Sequence, residues 1–324
     1  MSELLSRRAL LAASAHCGVA VAMGSRLLAA APPARLHVTC RDAMLQTLGY
    51  ENLWHALRDI GADGVEAAVD DDLNLTGLFH PQDKYSLATA TERDKVLAAA
   101  NSAGQRITAL CMFNKFAVRP DVEIEVCAKT AEAAQAAGIT AIRIDVVPRG
   151  KQQDRAEFLA LAAKTLREIM KRTEATGVRL AIENHGNTTN DPEFLTALFE
   201  QVGSDRLGLT LDTANFYWYG HPLSKLYEIY ARFAGRAFHS HMKSIAYPPD
   251  ERERQRPMGW EYAKYAAPIY EGDIDFKRVV ALLREAGYQG DLCIENETLR
   301  RTEETQRLQV LKREVQLLRK VQRA

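Results

Sequence analysis

The chain has 324 residues, of which 47% are hydrophobic and 26% are charged, a composition typical of a globular protein with a sizeable core. Its formal net charge is zero, so it lacks the overall positive field that attracts nucleic acid or anionic membranes, and we expect neither partner. The length accommodates either two ordinary domains or one large α/β barrel.

The N-terminal segment, residues 1–34, is predicted to be a twin-arginine export signal. Ser6-Arg7-Arg8 precedes an Ala-rich, mildly apolar run, and small residues near Ala31 mark a cleavage region before Pro32-Pro33. The run is too short and too weakly apolar to span a membrane. We therefore expect an exported, periplasmic protein that is not held in the membrane after the signal is removed. The alternative is an amphipathic helix that happens to carry two arginines.

From residue 35 onward, short apolar runs alternate with segments of helical periodicity. Eight strand–helix units without a linker predict one domain, a (β/α)8 TIM barrel over residues 35–324. A doubly wound open sheet is the alternative, which the count of eight and the lack of a Gly-rich first turn disfavour. The predicted strands are 36–42, 63–70, 106–113, 140–148, 179–186, 207–216, 237–245 and 291–297. The predicted helices are 50–62, 91–104, 121–138, 155–177, 192–202, 223–233, 276–286 and 301–321.

Four successive predicted strands end in residues that are able to hold a metal. They are Glu183, Asp212, His241 and Glu295. In a barrel of this kind the active site lies at the C-terminal strand ends. Buried carboxylates need a counter-charge, so three of them at one mouth, with an imidazole, predict a divalent metal. The alternative is a set of separate buried ion pairs in which Lys243 and Arg143 are the counter-charges.

Alternation along the strands places further polar side chains on the inner face of the barrel. We expect Arg143 and Asp145 to line the barrel as a pair. Cys293 also faces inward, and like Cys40 and Cys111 it is expected to be a small buried thiol, since the five cysteines form no CxxC pair. The other residues predicted to face inward beside the ligands are Glu66, His185, His239 and Lys243.

An aromatic segment follows the sixth predicted strand, at Phe216, Tyr217, Trp218 and Tyr219. Together with Trp260 and Tyr262 it is a candidate for stacking on a sugar ring, and Trp218 is the residue of this segment that is predicted to bind substrate. The other predicted substrate-binding residues are His185, Lys243, His239, Glu66 and Arg143. A packed loop or a contact within a homo-oligomer explains the same residues.

The chain resembles, over nearly its whole mature length, the xylose-isomerase-like barrel superfamily of sugar-phosphate isomerases and epimerases. The resemblance is strongest in Glu183-Asn184-His185, Leu211–Asn215, His241-Met242-Lys243 and Gly272–Glu297. It implies that Glu183, Asp212, His241 and Glu295 ligate one divalent metal. This oxygen-rich set suits Mn²⁺, with Co²⁺, Mg²⁺ or Zn²⁺ as alternatives. Some relatives have a histidine at the position of Asn215, so a second metal is not expected there.

The resemblance implies a metal-dependent sugar isomerase or epimerase. It would abstract a proton next to a carbonyl and proceed through an enediolate. Glu183 and Glu295 are the implied acid/base pair, and His185 and Lys243 would position hydroxyls or the developing oxyanion. His239 is expected beneath the metal, as a supporting residue. The family acts on sugar phosphates, whereas export favours a free sugar, a keto-sugar or a glycoside.

Three other functions are consistent with parts of the sequence. A lyase or hydratase would use the same site to cleave 3-keto-glycosides by β-elimination. A non-catalytic sugar-binding barrel would hold a structural metal. An apurinic-site endonuclease of the superfamily, which has three metals, is the weakest alternative. Asn215 replaces its histidine after strand six, and the loop after Lys243 has no histidine.

Overall fold

The protein is a closed barrel of eight parallel strands, which confirms the predicted TIM barrel. The computed structural model describes residues 35–150 and 154–323, and the predicted export signal lies outside the described residues. The barrel strands are β1 (His37–Arg41), β2 (Gly64–Ala68), β3 (Ile107–Cys111), β4 (Ala141–Ile144), β5 (Arg179–Glu183), β6 (Leu207–Asp212), β7 (Ala237–Met242) and β8 (Asp291–Ile294).

An outer helix follows each strand, as the alternating sequence pattern predicted. In the described ranges, no helix is both long and apolar enough to cross a membrane. The outer helices are α1 (Leu53–Ile60), α2 (Ala90–Ser102), α3 (Pro120–Ala136), α4 (Arg155–Arg172), α5 (Pro192–Val202), α6 (Leu223–Phe233), α7 (Phe276–Glu285) and α8 (Glu304–Val321).

Side-chain caps fix the starts of several helices. The Asp191 side chain accepts the backbone N–H of Glu193 at the start of α5, and Asp275 accepts two backbone N–H groups at the start of α7. These caps satisfy donors that the first helical turn leaves free. At its other end α4 stops at Arg172, earlier than predicted. A 3₁₀ turn over Glu174–Thr176 then leads to a glycine at φ 65°.

The strand register brings the candidate ligands to one mouth of the barrel. Asp212 at the end of β6 pairs with His241 on β7, and His241 pairs with Cys293 on β8. The outward side chains pack under the helices, where Leu292 and Ile294 are fully buried. The inward side chains of the same strands are therefore the polar ones, as alternation predicted.

Several connecting segments were not predicted from the sequence, and three of them lie after β6 and β7. The aromatic segment after β6 is a short helix, Asn215–Tyr219. After β7, the two-residue strands Ser244–Ile245 and Ala266–Ala267 pair as an antiparallel ribbon. A short helix, Tyr262–Tyr265, leads into the second strand of that ribbon. These elements are too short to produce a periodic pattern.

Candidate metal and catalytic site

The four predicted ligands meet at the C-terminal mouth of the barrel. One donor atom from each of Glu183, Asp212, His241 and Glu295 lies within 4.8 Å of the others. The Nδ1 atom of His241 is 3.2 Å from a Glu183 oxygen, 3.4 Å from a Glu295 oxygen and 4.0 Å from Oδ2 of Asp212. We call these four residues the upper group.

One oxygen of Asp212 is held by the backbone, and the other faces the ammonium of Lys243. Its Oδ1 accepts the backbone N–H groups of Ala214 and Asn215, each at 2.8 Å. Its Oδ2 is buried and, among the described residues, accepts no hydrogen bond, although Nζ of Lys243 lies 2.9 Å away. Burial raises the pKa of Asp212 to about 7. Oδ2 therefore already faces a cation, and it is a candidate ligand for a metal.

Three permanently cationic side chains surround the group. Arg143 donates to Glu183, and Arg41 donates to Glu295. Lys243 donates to the other Glu295 oxygen at 2.9 Å. Burial opposes ionisation of Glu183, but the Arg143 charge holds the pKa of this carboxyl well below its usual range. The ion-pair alternative thus describes real contacts, with Arg41 as an additional, unpredicted cation.

These cations do not balance the carboxylates at the centre of the barrel. The carboxylates outnumber them, so the centre lacks positive charge that a divalent cation or imidazolium ions would supply. This charge deficit fits one divalent metal. The set of three carboxylates and one imidazole, which includes Oδ2 of Asp212, supplies suitable donor atoms for it. The carboxylates are Glu66, Glu183, Asp212, Asp291 and Glu295, and the cations are Arg41, Arg143 and Lys243.

Two predicted substrate-binding residues, Glu66 and His239, lie beneath the upper group. Glu66 is 2.9 Å from Nε2 of His241, and its other oxygen is 3.2 Å from Nε2 of His239. The Nδ1 atom of His239 is 2.5 Å from Oδ1 of Asp291. Glu66 and His239 therefore orient each other, and Glu66 also orients His241, one of the candidate metal ligands. This agrees with the supporting position beneath the metal that was expected for His239.

A cavity of about 580 Å³ opens above the upper group. Glu183 and Glu295 reach its wall together with the predicted residues Arg143, His185 and Lys243. Asp212 and His241 lie below the wall at 0% exposure. The structure therefore brings most of the predicted site residues to one cavity.

His185 and Arg143 pair differently from the expected arrangement. The expected Arg143–Asp145 pair is loose, at 4.0 Å, because Arg143 donates to Glu183 and Asp145 pairs with Arg149 at 2.8 Å. Asp145 also lies 3.2 Å from Nδ1 of His185. Burial opposes protonation of His185, but the hydrogen bond to Asp145 raises the pKa of this imidazole.

The structure places Trp218 apart from this cavity. Trp218 is half-buried and packs beside Gly259, and it is not among the described residues that line the wall. Phe216 and Tyr217 are fully buried, which favours the packed-loop interpretation of the segment. Phe113 is the aromatic residue on the cavity wall, and its side chain is 55% exposed.

Sequence reasoning missed Arg41, Phe113 and Asp291. Arg41 and Phe113 lie at the ends of the first and third predicted strands. The available sequence signal was the alternation of side chains along each strand, which gives the direction of a side chain but not its function. Arg41 stacks on the Phe113 ring with its guanidinium 5.6 Å from the ring centre. Asp291 lies at the start of β8, and its distant partners Thr39 and Thr108 leave no local signal.

Comparisons with known proteins agree with this fold. An uncharacterized protein of Methanocaldococcus jannaschii is 28% identical to this chain over 148 residues. The matched region covers 44% of this chain and 45% of that protein, so the chain spans less than half the length of this relative. The IOLI protein, solved with a zinc atom bound, is 19% identical with a TM-score of 0.65, over 88% of this chain and 99% of that chain.

Other solved structures of the same fold include sugar epimerases. The 3-keto-D-glucoside 4-epimerase of E. coli is 14% identical with a TM-score of 0.59, over 88% of this chain and 100% of that chain. A family model described as a xylose isomerase-like TIM barrel matches residues 54–321. The chain belongs to the xylose isomerase-like TIM barrel family.

Proposed function

We propose that the protein is a metal-dependent epimerase or isomerase that acts on a keto-sugar or sugar derivative. The observation that carries the proposal is the position of two glutamates. Glu183 and Glu295 belong to the upper group and also reach the cavity wall, whereas Asp212 and His241 lie beneath the wall. Two carboxylates from different strands can therefore contact the same bound substrate.

Residues of the upper group would hold the metal, which would supply Lewis acidity that polarises a carbonyl and acidifies the adjacent C–H. Mn²⁺ remains our first expectation, with Zn²⁺, Mg²⁺ and Co²⁺ as alternatives. Glu183 is kept ionised by Arg143 and is suited to remove the proton. Glu295 would return a proton from its own side, which inverts the carbon.

The cations around the cavity would stabilise charge that develops on the substrate oxygen. Lys243 lines the cavity and is held 2.9 Å from Glu295. A fixed ammonium in a water-poor site stabilises an oxyanion more strongly than it does in water. We infer that Lys243 contacts the carbonyl oxygen, and that His185 and Arg149 on the opposite wall bind hydroxyl groups.

The predicted export favours an unphosphorylated substrate, and the cavity is large enough to hold one. About 580 Å³ lies within the range of small-molecule sites and accommodates a sugar or a glycoside. If residues 1–34 direct export, a free keto-sugar or keto-glycoside is the accessible substrate class, because sugar phosphates are scarce outside the cytoplasm. The similar E. coli protein is named as an enzyme of a 3-keto-glucoside.

A lyase acting on 3-keto-glycosides is a second candidate, favoured by His185. This residue reaches the cavity wall, and Asp145 raises its pKa. A protonated imidazole could donate to a departing glycosidic oxygen after Glu183 has removed the proton next to the ketone.

The test is proton exchange from carbon, measured by NMR in heavy water with a panel of ketoses and 3-keto-glycosides. We expect the wild-type protein to incorporate deuterium next to the carbonyl. Glu183→Gln and Glu295→Gln should each reduce this by about 10²–10⁴-fold, the usual contribution of a general acid or base. Glu193→Gln, at an exposed salt bridge with Arg232, is the matched control.

The products distinguish the two candidates. Exchange with conversion to the epimer or isomer supports the first, and exchange with release of the aglycone supports the lyase. Absence of exchange from every compound in the metal-loaded protein would contradict both.

A further inference from the structure

A second group of metal-type side chains lies inside the barrel, directly beneath the upper group. We call it the lower group, and its donor atoms lie within 4.8 Å of one another. All four residues are 0–1% exposed. His241 belongs to both groups, because its Nδ1 faces the upper carboxylates and its Nε2 faces Glu66. The lower group consists of Glu66, His239, His241 and Cys293.

Two donor atoms of the lower group are buried without a hydrogen-bond partner among the described residues. They are Oε1 of Glu66 and Nε2 of His239, which lie 3.2 Å apart. The contact between them is not a well-formed hydrogen bond, so a cation held by both atoms would satisfy the pair better than they satisfy each other.

His239 is fixed in the orientation that metal binding requires. Its Nδ1 lies 2.5 Å from Oδ1 of Asp291, and Asp291 accepts hydrogen bonds from the Thr39 and Thr108 hydroxyls at 2.6 Å each. When neutral, an imidazole that donates its Nδ1–H to a carboxylate presents Nε2 as a lone pair, so metal binding displaces any proton that Nε2 carries. This carboxylate–histidine arrangement commonly supports metal ligands.

We propose that the lower group is a second, closed metal site that takes Zn²⁺. One thiolate, two imidazole nitrogens and one carboxylate form a four-donor set that is typical of tetrahedral zinc. The upper group has no sulfur donor and is richer in oxygen, so the two sites prefer different cations. The lower site is buried away from the substrate cavity, and its role is to stabilise the barrel and to hold His241 in place.

The shared histidine couples the two sites. With both sites filled, Nδ1 of His241 would face the upper cation and Nε2 would face the lower one, and metal loading would release the ring N–H proton and the Cys293 thiol proton. A cavity of about 250 Å³ at the opposite mouth of the barrel is lined by Asp291, the residue that holds His239. The proposal does not rest on the proposed function, because Cys293 and His239 are absent from the described wall of the substrate cavity.

Cobalt substitution tests the site directly. A thiolate bound to Co²⁺ gives an intense charge-transfer band in the near ultraviolet, and only the lower group contains a thiol donor. We expect the full-length protein to bind two equivalents of Co²⁺ and to show this band. Cys293→Ser should bind one equivalent and lack the band. Cys127→Ser, at a buried thiol on α3, is the matched control and should retain both features.

Zinc X-ray absorption on the wild-type protein makes the test independent of whether Cys293→Ser folds. We expect one sulfur scatterer at about 2.3 Å from part of the bound zinc. One equivalent of metal with only nitrogen and oxygen scatterers, or a band that persists in Cys293→Ser, overturns the proposal. One equivalent with the sulfur signal supports the lower site and instead contradicts the metal requirement of the proposed function.

Discussion

In each of the three carboxylates of the upper group, the two oxygens have different environments. In each, one oxygen is held by another group and the other is directed towards Nδ1 of His241. Asp212 is held by backbone N–H groups, Glu183 by Arg143 and Glu295 by Arg41. This division fixes the orientation of each side chain, and a cation would take the second oxygens, two of which now face the ammonium of Lys243. Preorganised ligands of this kind lose little freedom on binding.

At the same scale, we expect Phe113 to contribute to substrate binding and Trp218 not to. Phe113 is 55% exposed at the cavity, whereas Trp218 is half-buried in the short helix Asn215–Tyr219. We expect Phe113→Ala to raise the KM for the substrate about tenfold, which corresponds to about 1.4 kcal/mol of lost apolar contact. Its effect on the free energy of unfolding should be small, as for most surface changes. Steady-state kinetics and urea unfolding measure the two quantities.

Trp218→Ala provides the comparison. We expect it to lower stability by removing packing against Gly259 and to leave KM unchanged. An increase in KM for Trp218→Ala with none for Phe113→Ala would restore the original assignment of Trp218 as the residue that stacks on the sugar.

At the scale of elements, the regular strands and helices were predictable and the connections were not. Apolar periodicity and caps such as Asp191 and Asp275 are local signals, so helix positions came within a few residues. Alternation assigned His239, His241 and Lys243 to one face of β7, which the structure confirms. The pairing of Arg41 with Glu295 joins residues far apart in the chain. No periodic pattern encodes such a contact.

Helix α8 carries a buried carboxyl whose ionisation makes stability depend on pH. Oε1 of Glu314 accepts hydrogen bonds from the Ile269 backbone N–H and from Asn296, while its other oxygen has no partner among the described residues. Burial raises the pKa of Glu314 from 4.5 to about 8. The folded protein therefore holds a proton between these values that the unfolded chain has lost, so this group's contribution to stability falls as pH rises through this window.

The corresponding prediction concerns Glu314→Gln. The amide oxygen can accept the same two hydrogen bonds and carries no charge. We expect the variant to resemble the wild type at pH 5 and to be more stable at pH 8.5, as measured by urea unfolding at both values. An equal difference between the two proteins at both pH values would show that Glu314 is not the source of the dependence. Glu193→Gln, at an exposed position, is the control.

At the scale of the whole molecule, the predicted export of residues 1–34 determines which sugars the enzyme meets. We expect the full-length protein, expressed in a bacterium with a twin-arginine pathway, to appear in the periplasm without the segment that ends near Ala31. Replacing Arg7 and Arg8 together by lysine should retain the uncleaved protein in the cytoplasm. Fractionation and N-terminal sequencing measure both outcomes. Equal distribution of the two proteins would favour the alternative of an amphipathic helix.

The metal dependence of carbon-bound proton exchange tests the proposed catalytic metal site most directly. The protein should be stripped with a chelator and incubated in heavy water with a keto-sugar or 3-keto-glycoside that the native protein exchanges. The incorporated deuterium is then followed as Mn²⁺, Zn²⁺, Mg²⁺ or Co²⁺ is added back. We predict that exchange disappears on stripping and returns with metal. Full exchange by the metal-free protein would contradict the assignment of the upper group as a catalytic metal site.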